Sequence, residues 1–374
     1  MKFNVSSSLL YQQLQAASRV LVSKNSLPVL ECVLFDLHGE ELTITASDSE
    51  TTIRTVISVE NAEGEGKVAF GTKLLLDTLK ELPEQPITFQ IDDQSFSLNI
   101  STANGNYSYV GVNGNEYPEM QQLENEHREF IVDAPTLLGA INKTIFCTAD
   151  DELRPVMNGV YFDLSTDHIT LVATDAHRLV RYTNSSVSVP EAASFILPKK
   201  PANLLRNLLA KEEGDVNVYF GDKNVMFEFG KTVIICRQIE GRYPNYNGVI
   251  PQNNSNIIIV DRQTLLNASR RVAVFANNGT SLLKLVIGDN KINISAQDID
   301  FSTAAEETIP CSYEGEQISI GFKAPFLIEL VGAIESDNVE LRLADAARAG
   351  LLLPTEQKEN EEVLMLLMPM LLND

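Results

Sequence analysis

Asp175, His177 and Arg178 are the residues whose types and spacing most invite chemistry. Asp175 and His177 are two apart, so on a strand they would share a face, and in a tight turn the carboxylate could orient the imidazole as a general base. No third partner can be named from the sequence, and no Gly-x-Ser-x-Gly elbow, P-loop or His-Glu-x-x-His motif is present. A hydrolase using Asp175 and His177 therefore stands as an alternative only. The four histidines do not cluster, and Cys32, Cys147, Cys236 and Cys311 are far apart with no Cys-x-x-Cys pair. Buried reduced thiols, no metal site and no cofactor are expected.

The elements that carry these residues argue against catalysis more strongly. Leu171 to Thr174 reads as a strand running into a polar turn, with a second strand through Tyr182. The same unit recurs as Leu42 to Asp48 and as Ile292 to Asp298, with different residues around each aspartate. The spacing is about 125 residues, one modest domain per copy. Three short strands, Phe3-Asn4-Val5, Phe130-Ile131-Val132 and Ile258-Ile259-Val260, each hand over at a helix-start residue, Ser6, Asp133 or Asp261. Each helix that follows has a narrow apolar stripe: Leu10, Leu14 and Ala17, then Leu137, Ile141 and Thr144, then Leu265, Ser269 and Val272. Strands are expected at Val29 to Phe35, Met157 to Phe162 and Leu282 to Ile287, and second helices at Thr72 to Leu82, Pro201 to Lys211 and Ala324 to Ile334. The reading is three similar α+β domains in tandem, over 1–121, 128–250 and 256–374.

The chain has 374 residues, is 44% hydrophobic, and carries a net charge of −22. Such a chain is globular and too acidic to grip phosphates over its whole surface. It has no apolar run of spanning length and no signal peptide at Met1, which predicts a soluble cytoplasmic protein. The basic residues nevertheless gather on the helices: Arg19, Lys73, Lys80, Lys143, Lys199, Lys200, Arg206, Lys211, Arg262, Arg270, Arg271 and Lys323. Acidic residues collect elsewhere, as in Glu60 to Glu65 and Glu356 to Glu362. A helix-lined basic surface inside an acidic shell suits an enclosed polyanion held by few contacts. With no tryptophan and 7% aromatic residues, stacking on single strands is poorly supported.

Along nearly its whole length the chain resembles the bacterial DNA polymerase III β subunit family, the sliding clamps. The matching motifs are Met1-Lys2-Phe3, Ser26-Leu27-Pro28-Val29-Leu30, Arg154 to Gly159, Thr174-Asp175-Ala176-His177-Arg178-Leu179, Gly241 to Tyr246 and Met368-Pro369-Met370. The resemblance implies a fold of three tandem clamp domains, with helices lining the inside and sheets outside, closed as a head-to-tail homodimeric ring around duplex DNA. It implies a non-catalytic processivity factor whose partners, the replicative polymerase α subunit, the clamp loader, other polymerases and repair proteins, dock by short linear peptides. The implied peptide pocket comprises Arg154, Met157, Thr174, Ala176, His177, Arg178, Leu179, Pro244, Val249, Leu366, Leu367, Met368, Pro369 and Met370, with His177 and Arg178 fixing the polar ends of the peptide. The implied dimer contacts are Lys73, Leu74, Tyr107, Tyr109, Val274 and Phe275. Lys24 is implied to touch DNA, beside Arg19, Lys80, Lys143, Lys199, Lys200, Arg206, Lys211, Arg270 and Arg271 on the helix-borne surface. The chain departs from the family at Ala176, at Gly248 and in the tail Leu371-Leu372-Asn373-Asp374. Besides the hydrolase, the rival reading is a protein-binding scaffold that does not encircle DNA.

Overall fold

The computed structural model describes residues 1–22 and 27–372. Ser6 accepts a hydrogen bond from the Leu9 amide at 3.1 Å and starts helix α1 (Ser7–Ser18). Asp133 does the same from Thr136 at 2.8 Å for α3 (Ala134–Thr144), and Asp261 from Thr264 at 2.7 Å for α5 (Arg262–Ala273). An oxygen side chain at this position satisfies an amide the helix itself leaves unpaired. The second helices of the copies are α2 (Thr72–Glu81), α4 (Lys199–Leu209) and α6 (Ala324–Ala333). All nine stripe positions, Leu10 to Val272, are buried.

Two expected strands begin later than the apolar pattern suggested. Pro28–Glu31 and Pro155–Met157 are single 3-10 turns, and the strands proper are Cys32–His38 and Gly159–Leu164. Proline supplies no amide to a ladder but fits the first turn of a helix, so Pro28 and Pro155 convert the head of each apolar run into a turn. Helix α4 opens at Lys199, two residues before the expected start, with Pro201 in its first turn.

The chain divides into two compact units. One holds Met1–Leu138 and Lys200–Ile239, the other Gly139–Lys199 and Glu240–Asp374. The first contains a five-stranded and a nine-stranded antiparallel sheet. In the nine-stranded sheet, Thr51–Ser58 of the first copy pairs with Thr232–Arg237 of the second. The other unit contains an eight-stranded and a four-stranded sheet, and in the former Arg178–Asn184 of the second copy pairs with Glu361–Leu367 of the third. Each large sheet thus runs on from one copy into the next, and the strands of the middle copy are shared between the two units.

Candidate functional site

The three aspartate turns share one hydrogen-bond plan. Asp48 Oδ1 accepts from the amides of Glu50 and Thr51 at 3.0 and 2.7 Å. Asp175 Oδ1 accepts from His177 and Arg178, both at 2.9 Å, and Asp298 Oδ1 from Asp300 and Phe301 at 3.0 and 3.2 Å. This is the local geometry that makes aspartate a turn residue. The preceding hydroxyl repeats as well: Thr174 donates to the Arg178 carbonyl and accepts from Ala176, as Ser47 donates to Thr51 and accepts from Ser49. Ser49 and Ala176 both take a left-handed backbone, φ 81° and 74°.

The second carboxylate oxygen distinguishes the copies. Asp48 Oδ2 meets Lys200, Asp298 Oδ2 meets Asn277, and Asp175 Oδ2 accepts from Arg178 Nε at 3.0 Å. Asp175 therefore holds its own turn and Arg178. The sequence-level possibility that it orients His177 as a base is not what the geometry contains: the imidazole is exposed and stacks against Phe326 with ring centres 5.9 Å apart.

Arg178 is only 7% exposed, and its fork is used internally. It pairs with Asp175 and Glu329, donates to the Phe146 carbonyl at 2.9 Å, and lies 4.6 Å from the centre of the Phe326 ring. In place of the expected role of capping an incoming peptide, the guanidinium braces the turn from behind. Burial pushes the neighbouring Cys147 thiol up, and likewise the buried Cys236 and the half-buried Cys32 and Cys311, which favours the protonated thiol over the thiolate. Phe326 and Glu329 were missed in the sequence. Their signal was the three-residue spacing on the first turns of α6, which sets both on one face.

Around this turn the structure gathers much of the expected pocket. Thr174 pairs with Leu179 in the Ile169–Thr174 ladder, and Arg178 and Leu179 pair with Leu367 and Leu366. The Met368 amide donates to the His177 carbonyl at 2.8 Å, and the Met370 amide to Gly321 at 2.8 Å. Gly321 is required there, because an added Cβ would stand 2.9 Å from the Met370 carbonyl oxygen. Leu179, Leu366 and Leu367 are buried as backing, whereas His177, Ala176 and Met368 face solvent and Pro369 and Met370 are half-buried. Pro244 follows Tyr243, whose hydroxyl reaches the Val172 carbonyl at 3.4 Å and whose ring stacks on Tyr161. Arg154 is exposed and paired with Asp151, Met157 is half-buried at the end of its 3-10 turn, and Val249 is 58% exposed at the end of another. An apolar floor with an exposed, unbranched methionine at its rim and an exposed imidazole beside it can bind an apolar peptide side chain.

The expected DNA-facing residues differ in exposure. Arg19, Lys80, Lys199, Lys211 and Arg270 are exposed and Arg206 is half-buried. Lys143 is not available as expected: its side chain is 9% exposed, 3.0 Å from Glu361 and 3.7 Å from Glu335, because the apolar stripe of α3 carries it into the protein. Lys200 is paired with Asp48 and donates to the Val20 carbonyl at 2.6 Å, and Arg271 is held by both oxygens of Glu307 at 2.8 and 2.7 Å. Lys24 lies outside the described residues. Among the expected dimer residues, Lys73, Leu74, Tyr107, Val274 and Phe275 are exposed, and Tyr109 is half-buried with its hydroxyl on Thr78. Among the described residues no cluster has the donors for a metal ion, and no helix is long and apolar enough to cross a membrane.

Three tandem α+β copies, joined by shared sheets and carrying beside the middle turn an exposed imidazole and methionine over an apolar floor, define a clamp-type binding protein. Family models agree copy by copy: DNA polymerase III beta subunit, N-terminal domain over residues 1–121, central domain over 132–245, and C-terminal domain over 247–371. The beta sliding clamp of Pseudomonas putida is 26% identical over 372 residues, 99% of this chain and 100% of the relative. Two solved structures each match all of both chains at a TM-score of 0.91: the Thermotoga maritima DNA polymerase III beta subunit, 25% identical, and a Bartonella birtlesii sliding clamp bound to griselimycin, 27% identical. The chain belongs to the DNA polymerase III β subunit family, the non-catalytic sliding clamps that act in DNA replication as processivity factors.

Proposed function

We propose that this chain works as a homodimeric ring that encircles duplex DNA and tethers the replicative polymerase, the clamp loader and other replication and repair proteins. Its domains are 1–121, 128–250 and 256–374. The peptide pocket is the Thr174–Leu179 turn with Met157, Pro244, Val249 and the Leu366 to Met370 segment, and it takes short apolar peptides and the ligand of the Bartonella relative, griselimycin. Arg154 lies at its rim. The observation that carries this reading is the threefold turn of which only the middle copy presents His177 and Met368 together. Dimer contact is assigned to the Asn106–Val110 strand, a free sheet edge with Val110 79% exposed, and to Leu74, Val274 and Phe275. An exposed edge strand left uncovered would invite uncontrolled pairing, and closure by symmetry removes it. Arg19, Lys80, Lys199, Arg206, Lys211 and Arg270 supply loose, sequence-independent attraction to phosphate.

The test loads the protein onto nicked circular DNA with a clamp loader and then linearises the circle. Retention on circles with loss from linear ends is expected. Equal behaviour on both forms would establish the scaffold reading instead.

A further inference from the structure

We propose that Glu329 of α6 is a positioning residue for the partner-binding turn, holding Arg178 and through it the Thr174–Leu179 backbone in the form that accepts a ligand. The inference rests on the pocket assigned above.

The turn needs such a hold. Ala176 sits at φ 74°, a conformation that an L side chain keeps only when its surroundings impose it. Within the turn, Asp175 supplies two acceptor bonds to backbone amides and one to Arg178 Nε. The rest of the Arg178 fork is directed by groups outside the turn, the Phe146 carbonyl and the Glu329 carboxylate. Phe326, one helical turn before Glu329, packs against both Arg178 and His177. Two residues on one face of a helix from the third copy thus grip two consecutive side chains of a turn from the second.

One of the two sister turns carries the same relation. In the first copy Ser49 is also left-handed, and Asp48 is met by Lys200 from the second helix of the next copy. In the third copy Asp298 is met by Asn277 of its own copy, and Ile299 is not among the residues with positive φ. A left-handed residue directly after the aspartate and a grip from the following copy occur together in the first two turns, whereas the third turn places its left-handed residue at Ser302, φ 52°, and has its aspartate met from its own copy. Ligand affinity at the second copy is consequently set in part by a helix that belongs to the third.

Glu329→Gln tests this, since it keeps the shape and one acceptor while removing the charge. Two measurements are made on the full-length protein: amide hydrogen exchange at Ala176, His177 and Arg178, and griselimycin affinity by calorimetry. Faster exchange in the turn is expected, with the Ile169–Thr174 ladder and the global unfolding midpoint unchanged. Griselimycin binding is expected to weaken about five-fold, with partial recovery in Glu329→Asp, while Arg178→Lys, which cannot make the fork, weakens it further. Unchanged turn exchange in Glu329→Gln overturns the proposal, as does parental affinity in that variant. Should the parent protein itself not bind griselimycin, the pocket assignment falls, and the exchange comparison still decides the role of Glu329.

Discussion

Asp175 is held at 15% side-chain exposure between its own turn amides and the Arg178 guanidinium, while the His177 ring beside it lies open to solvent. Removing each should therefore have separable effects. Asp175→Asn keeps an oxygen for the amides but turns a donor toward the guanidinium, so a loss of about 2 kcal/mol is expected as a lower urea midpoint. His177→Ala should change stability by less than about 0.5 kcal/mol, since an exposed side chain away from caps and networks contributes little. It should weaken griselimycin binding all the same. A His177 variant as unstable as the Asp175 variant would mean that the two residues act as a pair after all. That Asp175 was structural was legible from its recurrence in Asp48 and Asp298. That Arg178 braces the turn was not, because its partners Phe146 and Glu329 are 32 and 151 residues away in the chain.

At the scale of elements, helix starts were readable because a cap is a local event, one oxygen and one amide three residues on. The stripes were readable for the same reason, down to Ser269, which is buried where the other copies carry Leu14 and Ile141 and whose hydroxyl has no partner. The expected strands at Val29 and Met157 start too early because the apolar run outweighs the local signal of Pro28 and Pro155, whose 3-10 turns take in Val29 to Glu31 and Met157. What no local pattern announces is the pairing of Thr51–Ser58 with Thr232–Arg237, or of Arg178–Asn184 with Glu361–Leu367. Lys143 depends on the latter pairing, since it places Glu361 beside the buried ammonium. Glu361→Ala should cost about 3 kcal/mol by leaving the buried ammonium only its longer contact with Glu335 at 3.7 Å, whereas Lys143→Met with Glu361→Leu should come close to the parent, because an apolar pair avoids the desolvation that the ion pair has to offset. Thermal or urea unfolding of the single and double variants checks this. Equal losses in both would show that the ion pair itself contributes the stability.

For the whole molecule, a net charge of −22 means that attraction to DNA must come from a few placed cations against a repulsive background. Such binding should be weak, and its salt dependence should count the cations that reach phosphate, since log K against log salt falls by about 0.9 for each phosphate neutralised. Anisotropy titrations of a short duplex across a salt series can do the counting. Arg270→Ala and Lys80→Ala, which remove exposed charges, should each lower the slope by up to about 0.9 and weaken all sequences alike. Lys143→Met should leave the slope where it was, its ammonium being committed to Glu361 at 3.0 Å. Arg271→Ala should fall between these, because the guanidinium must leave a two-point pairing with Glu307 before it can meet a phosphate. A slope that drops for Lys143→Met but not for Arg270→Ala would move the DNA-facing surface off the exposed helix cations.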